Sequence, residues 1–361
     1  MQFTDNTTVT LNTWEALTRL VSADYEPFQM PDIEEYRVLD TIGIGSFNAR
    51  RKRLLSGEIT IETPQLDDLI RATEMAMAQN HAAPAGRRGV MVTGPSSVGK
   101  TTACIALMRY VYAEFNRQCP EYVADGAIPV AYVEVPPSST PKGVMQRFAD
   151  FYALPYAERT SLNALRKMVV SAVRQCRTQV IVVDELHNLS RISQVNGQSV
   201  DTLKDLSNDC PATFVYAGIH LDRGGLLAGE RGDQVSRRFS RVSMQVYGYA
   251  TPEQRRSWRS VVMGFSKALP LFNHEPKSLL VEAEWLHERS GGNIGTLQSI
   301  LVQSAFRVID ADDPENERLS RELMSEALRD LRAEAGEATL LRTRAAAKAR
   351  AKLSSRKPHA A

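Results

Sequence analysis

Eight consecutive residues, Gly94, Pro95, Ser96, Ser97, Val98, Gly99, Lys100 and Thr101, fit the pattern G-x-x-x-x-G-K-[ST]. Triphosphate oxygens need hydrogen-bond donors at close range. Glycines let the backbone curl so that successive N–H groups point inward, and a helix that follows adds its positive N-terminal end. Lys100 then supplies a point charge for the β and γ phosphates, and Thr101 a hydroxyl for magnesium; Thr102 is counted with the loop. A second group stands 83 residues further on, where the apolar run Val180-Ile181-Val182-Val183 ends in Asp184 and Glu185. An apolar strand ending in two carboxylates is a Walker B pattern. Asp184 would hold magnesium, directly or through water, and Glu185 would act as general base on the attacking water. Together the two groups predict binding and hydrolysis of ATP with Mg2+.

These residues need elements to hold them. Residues 89–93 (GVMVT) read as a short buried strand leading into the loop, and 102–117 as the helix leaving it. Further strands are expected at 128–135, 180–183, 213–217 and 242–246, short and apolar as in the centre of a parallel sheet. Helices are expected at 64–80, 144–152, 162–176 and 201–208. Strands alternating with helices predict an α/β fold, a five-stranded parallel sheet flanked by helices. From Pro252 onward strands vanish. Helical segments near 252–268, 276–289, 294–310 and 318–333 predict a C-terminal helical lid. The expected domains are an N-terminal extension (1–60), the nucleotide-binding α/β domain (61–250), the lid (251–335) and a basic tail (336–361). In the extension, GIGSF reads as a turn. Arg50, Arg51, Lys52 and Arg53 form a basic cluster, either a solvated face or a binding patch.

The composition limits the alternatives. With 361 residues, 43% hydrophobic and 24% charged, the chain can bury a sizeable core. Its net charge of +2 is too small to attract nucleic acid in bulk, so such binding must come from local clusters. Cys104, Cys119, Cys176 and Cys210 form no C-x-x-C pair, which argues against a zinc site and for reduced thiols. The first residues are polar and lack the order of a signal peptide, and no apolar run approaches the ~20 residues that span a bilayer. No membrane association and a cytoplasmic location are the expectations.

GPSSVGKTT, VDELHNL, TFVYAGI, QVSRRFSRV and RSGGNIGTLQSILVQSA together resemble AAA+ ATPases, and more closely the transposition regulators of the TniB/TnsC kind, relatives of the phage Mu B protein. The likeness covers roughly 60–310. It implies an ATP-dependent switch that assembles on double-stranded DNA as a ring or helical filament, recruits a transposase at the target site, and is reset by slow hydrolysis. It also implies an arginine finger at Arg237 or Arg238, with Arg238 preferred because it directly precedes Phe239. The strand TFVYAGIH occupies the sensor-1 position but ends without Asn or Thr; His220 is the nearest substitute. Gly295 stands where a sensor-2 arginine is expected, which fits a switch better than a motor. Pore-facing loops of such rings point to Thr140, Lys142 and Arg147 after the second strand, and to Arg191 and Lys204 after Walker B, as non-specific DNA contacts. The basic tail, with Arg342, Arg344, Lys348, Arg350, Lys352, Arg356 and Lys357, could grip DNA or a partner, or only solubilise. Two other readings remain open: a loader or remodeller acting on a protein partner in DNA replication or repair, and a signalling P-loop ATPase.

Overall fold

A computed structural model describes residues 11–22, 28–58, 60–83, 86–189, 193–221 and 238–328. Arg191, Arg237 and the basic tail therefore lie outside the described residues. The chain divides into two compact units. Among the described residues, the first comprises 11–22 and 63–245, and the second 28–62 and 246–328.

The first unit is built on a five-stranded sheet, β1 (Gly89–Thr93), β2 (Val130–Glu134), β3 (Val180–Asp184), β4 (Thr213–Gly218) and β5 (Phe239–Ser243), in the order β2-β3-β4-β1-β5. Every neighbouring pair is parallel. β1, β3 and β4 are buried along their whole length. That explains their continuous apolar runs, because a parallel sheet covered on both faces leaves no polar side. Helix α1 (Trp14–Ser22) buries Leu17 and Val21. Helix α4 (Pro64–Ala82) starts at Thr63, whose hydroxyl accepts from Leu66 N–H at 3.2 Å, with Pro64 in the first turn. Helix α5 (Lys100–Gln118) follows the glycine loop directly and buries Ala103, Cys104, Leu107 and Met108 against the sheet. Beyond the short α6 (Pro120–Ala124), α7 (Pro141–Phe151), α8 (Leu162–Gln175) and α9 (Ser193–Asp209) pack on one another. Full burial of a Val, Leu or Phe side chain contributes roughly 1.5–3 kcal/mol, so Phe148, Phe151, Leu165 and Val169, all at 0% exposure, fix these helices firmly.

One strand is displaced from its expected place. β5 runs 239–243 rather than 242–246. Its position is set by pairing with β1, Gly89 opposite Phe239, and by Phe239 stacking on Tyr216 with centroids 4.6 Å apart. The apolar pattern misleads because this edge strand buries only Val242, while Val246 is 44% exposed.

The second unit is helical: α2 (Ile33–Arg37), α3 (Thr41–Arg53), α10 (Pro252–Ala268), α11 (Ala283–Ser290), α12 (Ile294–Asp310) and α13 (Arg321–Ser325). Its core gathers Trp258, Val262, Leu286, Leu297, Ile300 and Met324. The stretch containing GIGSF is not a turn but part of α3. Asp40 caps that helix by accepting from Gly43 N–H at 2.7 Å. Two glycines cost a helix about 1 kcal/mol each relative to alanine, and tertiary packing of Phe47 and Arg51, one turn apart, outweighs them. Arg51 is fully buried. Its Nη1 and Nη2 donate to Glu317 Oε2 and Oε1 at 2.6 and 2.9 Å, and its guanidinium lies 5.1 Å from the ring centroids of both Phe47 and Phe272. The basic cluster 50–53 is thus neither a plain solvated face nor a free patch at Arg51. Residues 28–58 and 60–62 belong with the helical unit rather than with a separate extension.

Candidate nucleotide site

The glycine loop sits at the C-terminal end of β1. Gly94 has no substitute there, because a Cβ would lie 1.9 Å from the Met244 carbonyl oxygen as the chain leaves β5. Gly99 takes φ +87°, a left-handed conformation that favours glycine, and Ser97 takes φ +62° within the same loop. The loop closes on Lys100, whose Nζ donates to Gly94 O at 3.2 Å and Pro95 O at 2.6 Å. Burial pulls the Lys100 ammonium below the ordinary lysine range, opposed by the carboxylates of Asp184 and Glu185. An ammonium folded onto its own loop carbonyls is poised to exchange them for phosphate oxygens.

The two sequence motifs meet. Thr101 Oγ1 donates to Asp184 Oδ2 at 2.8 Å. Tyr132 OH donates to the same oxygen at 3.0 Å, and Glu185 N–H to Asp184 Oδ1 at 2.7 Å. Burial, reinforced by Asp184, pushes the Tyr132 phenol far above its ordinary range, so it stays a donor. Thr101 and Asp184 form an all-oxygen pair, the donor chemistry that suits a magnesium ion. Sequence reasoning missed Tyr132. β2 and β3 run in register, Tyr132 beside Val182 and Glu134 beside Asp184. A period of two therefore places Tyr132 on the Asp184 face one pleat below it, a signal readable only once the register is known.

Glu185 follows Asp184 with φ +55° and leads into the 3-10 turn Leu186–Asn188. Its Oε2 lies 3.1 Å from His187 Nε2. β4 ends in Ala217 and Gly218, neither of which carries a polar side chain. His220 is exposed with φ +47°, and it is His187, part of the VDELHNL run but given no role there, whose Nδ1 accepts from Ile219 N–H at 3.2 Å.

Arg238 is not near this loop. It precedes β5 at the opposite end of the sheet, where its carbonyl accepts from Gly89 N–H and its Nη1 donates to Asn208 Oδ1 at 3.2 Å. Five residues of β1, at roughly 3.3 Å each, put about 17 Å between that end and Gly94. In the helical unit, Asn293 caps α12 by accepting from Gly295 and Thr296 N–H at 2.8 and 3.2 Å, so the S-G-G-N turn is accounted for as a helix boundary.

The loops proposed for DNA begin side by side. Ser139 and Leu189 form an isolated parallel bridge, and Asn188 Nδ2 donates to Val135 O at 3.0 Å. Thr140 is exposed and caps α7 through Gly143 N–H at 3.1 Å, Arg147 is exposed on that helix, and Lys142 donates to the Glu158 carbonyl. Lys204 is half-buried on α9. Among the described residues, no helix is long and apolar enough to cross a membrane.

Comparison with known proteins agrees with this geometry. The family model described as "Bacterial TniB protein" matches residues 51–249. No curated protein matches the chain. Among solved structures, the Aeropyrum pernix ORC2 protein in its ADP form aligns with a TM-score of 0.55 at 12% identity, over 78% of this chain and 73% of that one. The Aeropyrum pernix ORC1 protein in complex with DNA aligns with a TM-score of 0.53 at 15% identity, over 79% and 68%. At such identities the likeness is one of fold, the AAA+ ATPase fold. With its glycine loop and Walker B aspartate joined by the Thr101–Asp184 hydrogen bond and the family model covering more than half its length, this chain belongs to the bacterial TniB family and is a P-loop ATPase.

Proposed function

We propose that this chain is an ATP- and magnesium-dependent regulator of DNA transposition. It assembles on duplex DNA as a ring or helical filament, recruits or activates a transposase at the target site, and is reset by slow hydrolysis. The observation that carries the nucleotide half is the Thr101–Asp184 hydrogen bond, which brings the P-loop and Walker B to one point beside Lys100. Family membership supports the transposition half.

In this reading the loop N–H groups and Lys100 bind the phosphates, and Thr101 and Asp184 hold magnesium, which when bound neutralises charge on the phosphate oxygens. Glu185 takes the proton of the attacking water. Arg238 lies at the far end of the sheet from its own Gly94, where it would serve a neighbouring copy as the finger, so hydrolysis depends on assembly. Arg237 is the other candidate. The adjacent loop starts at Ser139 and Leu189 support one DNA-facing edge with Thr140, Lys142 and Arg147. Arg191 and Lys204, in the stretch after Walker B, are the other candidate contacts. That a fold relative was solved in complex with DNA favours the same reading.

The test is steady-state ATP hydrolysis with and without duplex DNA, together with electron microscopy of the protein on DNA with a non-hydrolysable ATP analogue. Regular rings or filaments and DNA-stimulated turnover are expected. Hydrolysis indifferent to DNA but raised by a replication or repair protein would favour the loader reading instead.

A further inference from the structure

We propose that His187 is the positioning residue for Glu185, taking over the task of the polar side chain that the end of β4 lacks. The inference rests on the reading of Glu185 as the general base.

The geometry sets the tautomer. Ile219 N–H donates to His187 Nδ1 at 3.2 Å, so Nδ1 carries no proton. The ring proton is then on Nε2, and that nitrogen approaches Glu185 Oε2 to 3.1 Å. A small turn of the Glu185 side chain brings its carboxylate onto the Nε2–H, and a hydrogen bond to a carboxylate holds its rotamer. Glu185 needs such a hold. It sits in left-handed backbone at φ +55°, and its side chain is about a third exposed. Free rotation there would leave the carboxylate without a defined direction.

The seat of the ring is built into β4. Gly218 ends that strand, and a Cβ there would lie 3.3 Å from both the His187 backbone nitrogen and Nδ1, and 3.0 Å from Leu221 Cδ2. The same turn is tied to the base of the glycine loop, because Leu221 N–H donates to Thr93 Oγ1 at 3.0 Å. A relay of named contacts therefore runs from Thr93 through the 218–221 turn to His187 and on to Glu185. A side-chain sensor on β4 would address the nucleotide itself. Here β4 addresses the general base, through a backbone N–H and one imidazole.

Three substitutions separate the two ends of the ring. His187→Asn keeps an acceptor near Nδ1 for Ile219 but loses the donor to Glu185. His187→Gln reaches further and restores a donor near Nε2. His187→Ala loses both. On the full chain with duplex DNA, kcat of the Ala and Asn variants falls about 10- to 100-fold, the cost of a misdirected catalytic group. KM and the affinity for a fluorescent non-hydrolysable ATP analogue stay within about twofold, and the Gln variant recovers most of kcat. Wild-type kcat in His187→Ala overturns the proposal. So does an Asn variant that outperforms the Gln variant, which would make the ring only an anchor for the turn. So does analogue affinity that falls together with kcat. Glu185→Gln is measured alongside: if it hydrolyses ATP at the wild-type rate, the role of Glu185 fails first, whatever the His187 variants do.

Discussion

Arg51 offers a sharp test of the physical reasoning, because it looks like surface charge in sequence and is core in structure. Arg51→Ala would leave Glu317 at 0% exposure with its two guanidinium donors gone. Only the Phe272 N–H, 3.1 Å from Oε2, would remain to it. The variant also empties the space against Tyr36, Phe47 and Phe272 and frees the Pro270 carbonyl that Arg51 Nη1 serves at 3.2 Å. Breaking a buried pair from one side costs about 3–5 kcal/mol. At 4–8 °C per kcal/mol for a unit of roughly 100 residues, that lowers melting of the helical unit by about 12 °C or more. The chain has three tryptophans, of which Trp258 and Trp285 belong to this unit. Fluorescence in a Trp14→Phe background therefore reports the helical unit alone. The paired variant Arg51→Met with Glu317→Leu should recover most of the loss, since an apolar replacement of similar volume removes the stranded charge. A cost below about 1 kcal/mol for Arg51→Ala, the range of an exposed ion pair, would refute the reasoning. A paired variant no better than the single one would show that packing, not charge, dominates.

Glu185→Gln should bind the ATP analogue as the wild type does but not turn ATP over, and should hold assemblies on DNA; unchanged hydrolysis in a phosphate-release assay would remove the water-activating role. Arg238→Ala should bind nucleotide normally yet lose DNA-stimulated hydrolysis, and full stimulated activity would remove it as the finger. Burial lowers the Lys100 pKa in the nucleotide-free protein, and bound phosphate would raise it. Affinity is therefore full below the free-state value and falls about tenfold per pH unit as pH rises from the free-state to the bound-state value; an alkaline titration of analogue affinity showing no fall, or the same fall in Lys100→Ala, would contradict this. Burial also lowers the His274 pKa beneath its ordinary 6.5. The unfolded chain then binds the proton more tightly, so the helical unit keeps this stability above about 6.5 and loses it as pH falls through the folded-state value. Denaturant melts at pH 5 and pH 7.5 should differ less in His274→Asn; an equal difference would exclude the histidine.

How much of this was legible beforehand follows from where the signals are local. The glycine loop, Lys100, Thr101 and the carboxylates after β3 are contiguous motifs, and the strands that carry them are buried on both faces, so their composition announces them. β5 is an edge strand with one buried residue, and its place depends on pairing with β1, which no local pattern encodes. α3 was hidden by two glycines whose intrinsic cost is overridden by rings and a carboxylate far along the chain. Tyr132 and His187 owe their places to register and to a turn, in each case to neighbours more than 30 residues away in sequence. Arg51 shows the same limit: a basic run reads as surface until its partner, 266 residues distant, is known.

The central claim is that hydrolysis by this chain answers to DNA. Its most direct test is the rate of phosphate release from ATP and Mg2+ by the purified protein, measured across a titration of duplex DNA at low and at raised salt. Slow basal turnover, stimulation by DNA regardless of sequence, and loss of that stimulation as salt displaces the phosphate contacts are the expected results. A rate unchanged by saturating duplex DNA at low salt, in protein that binds ATP normally, would contradict that claim.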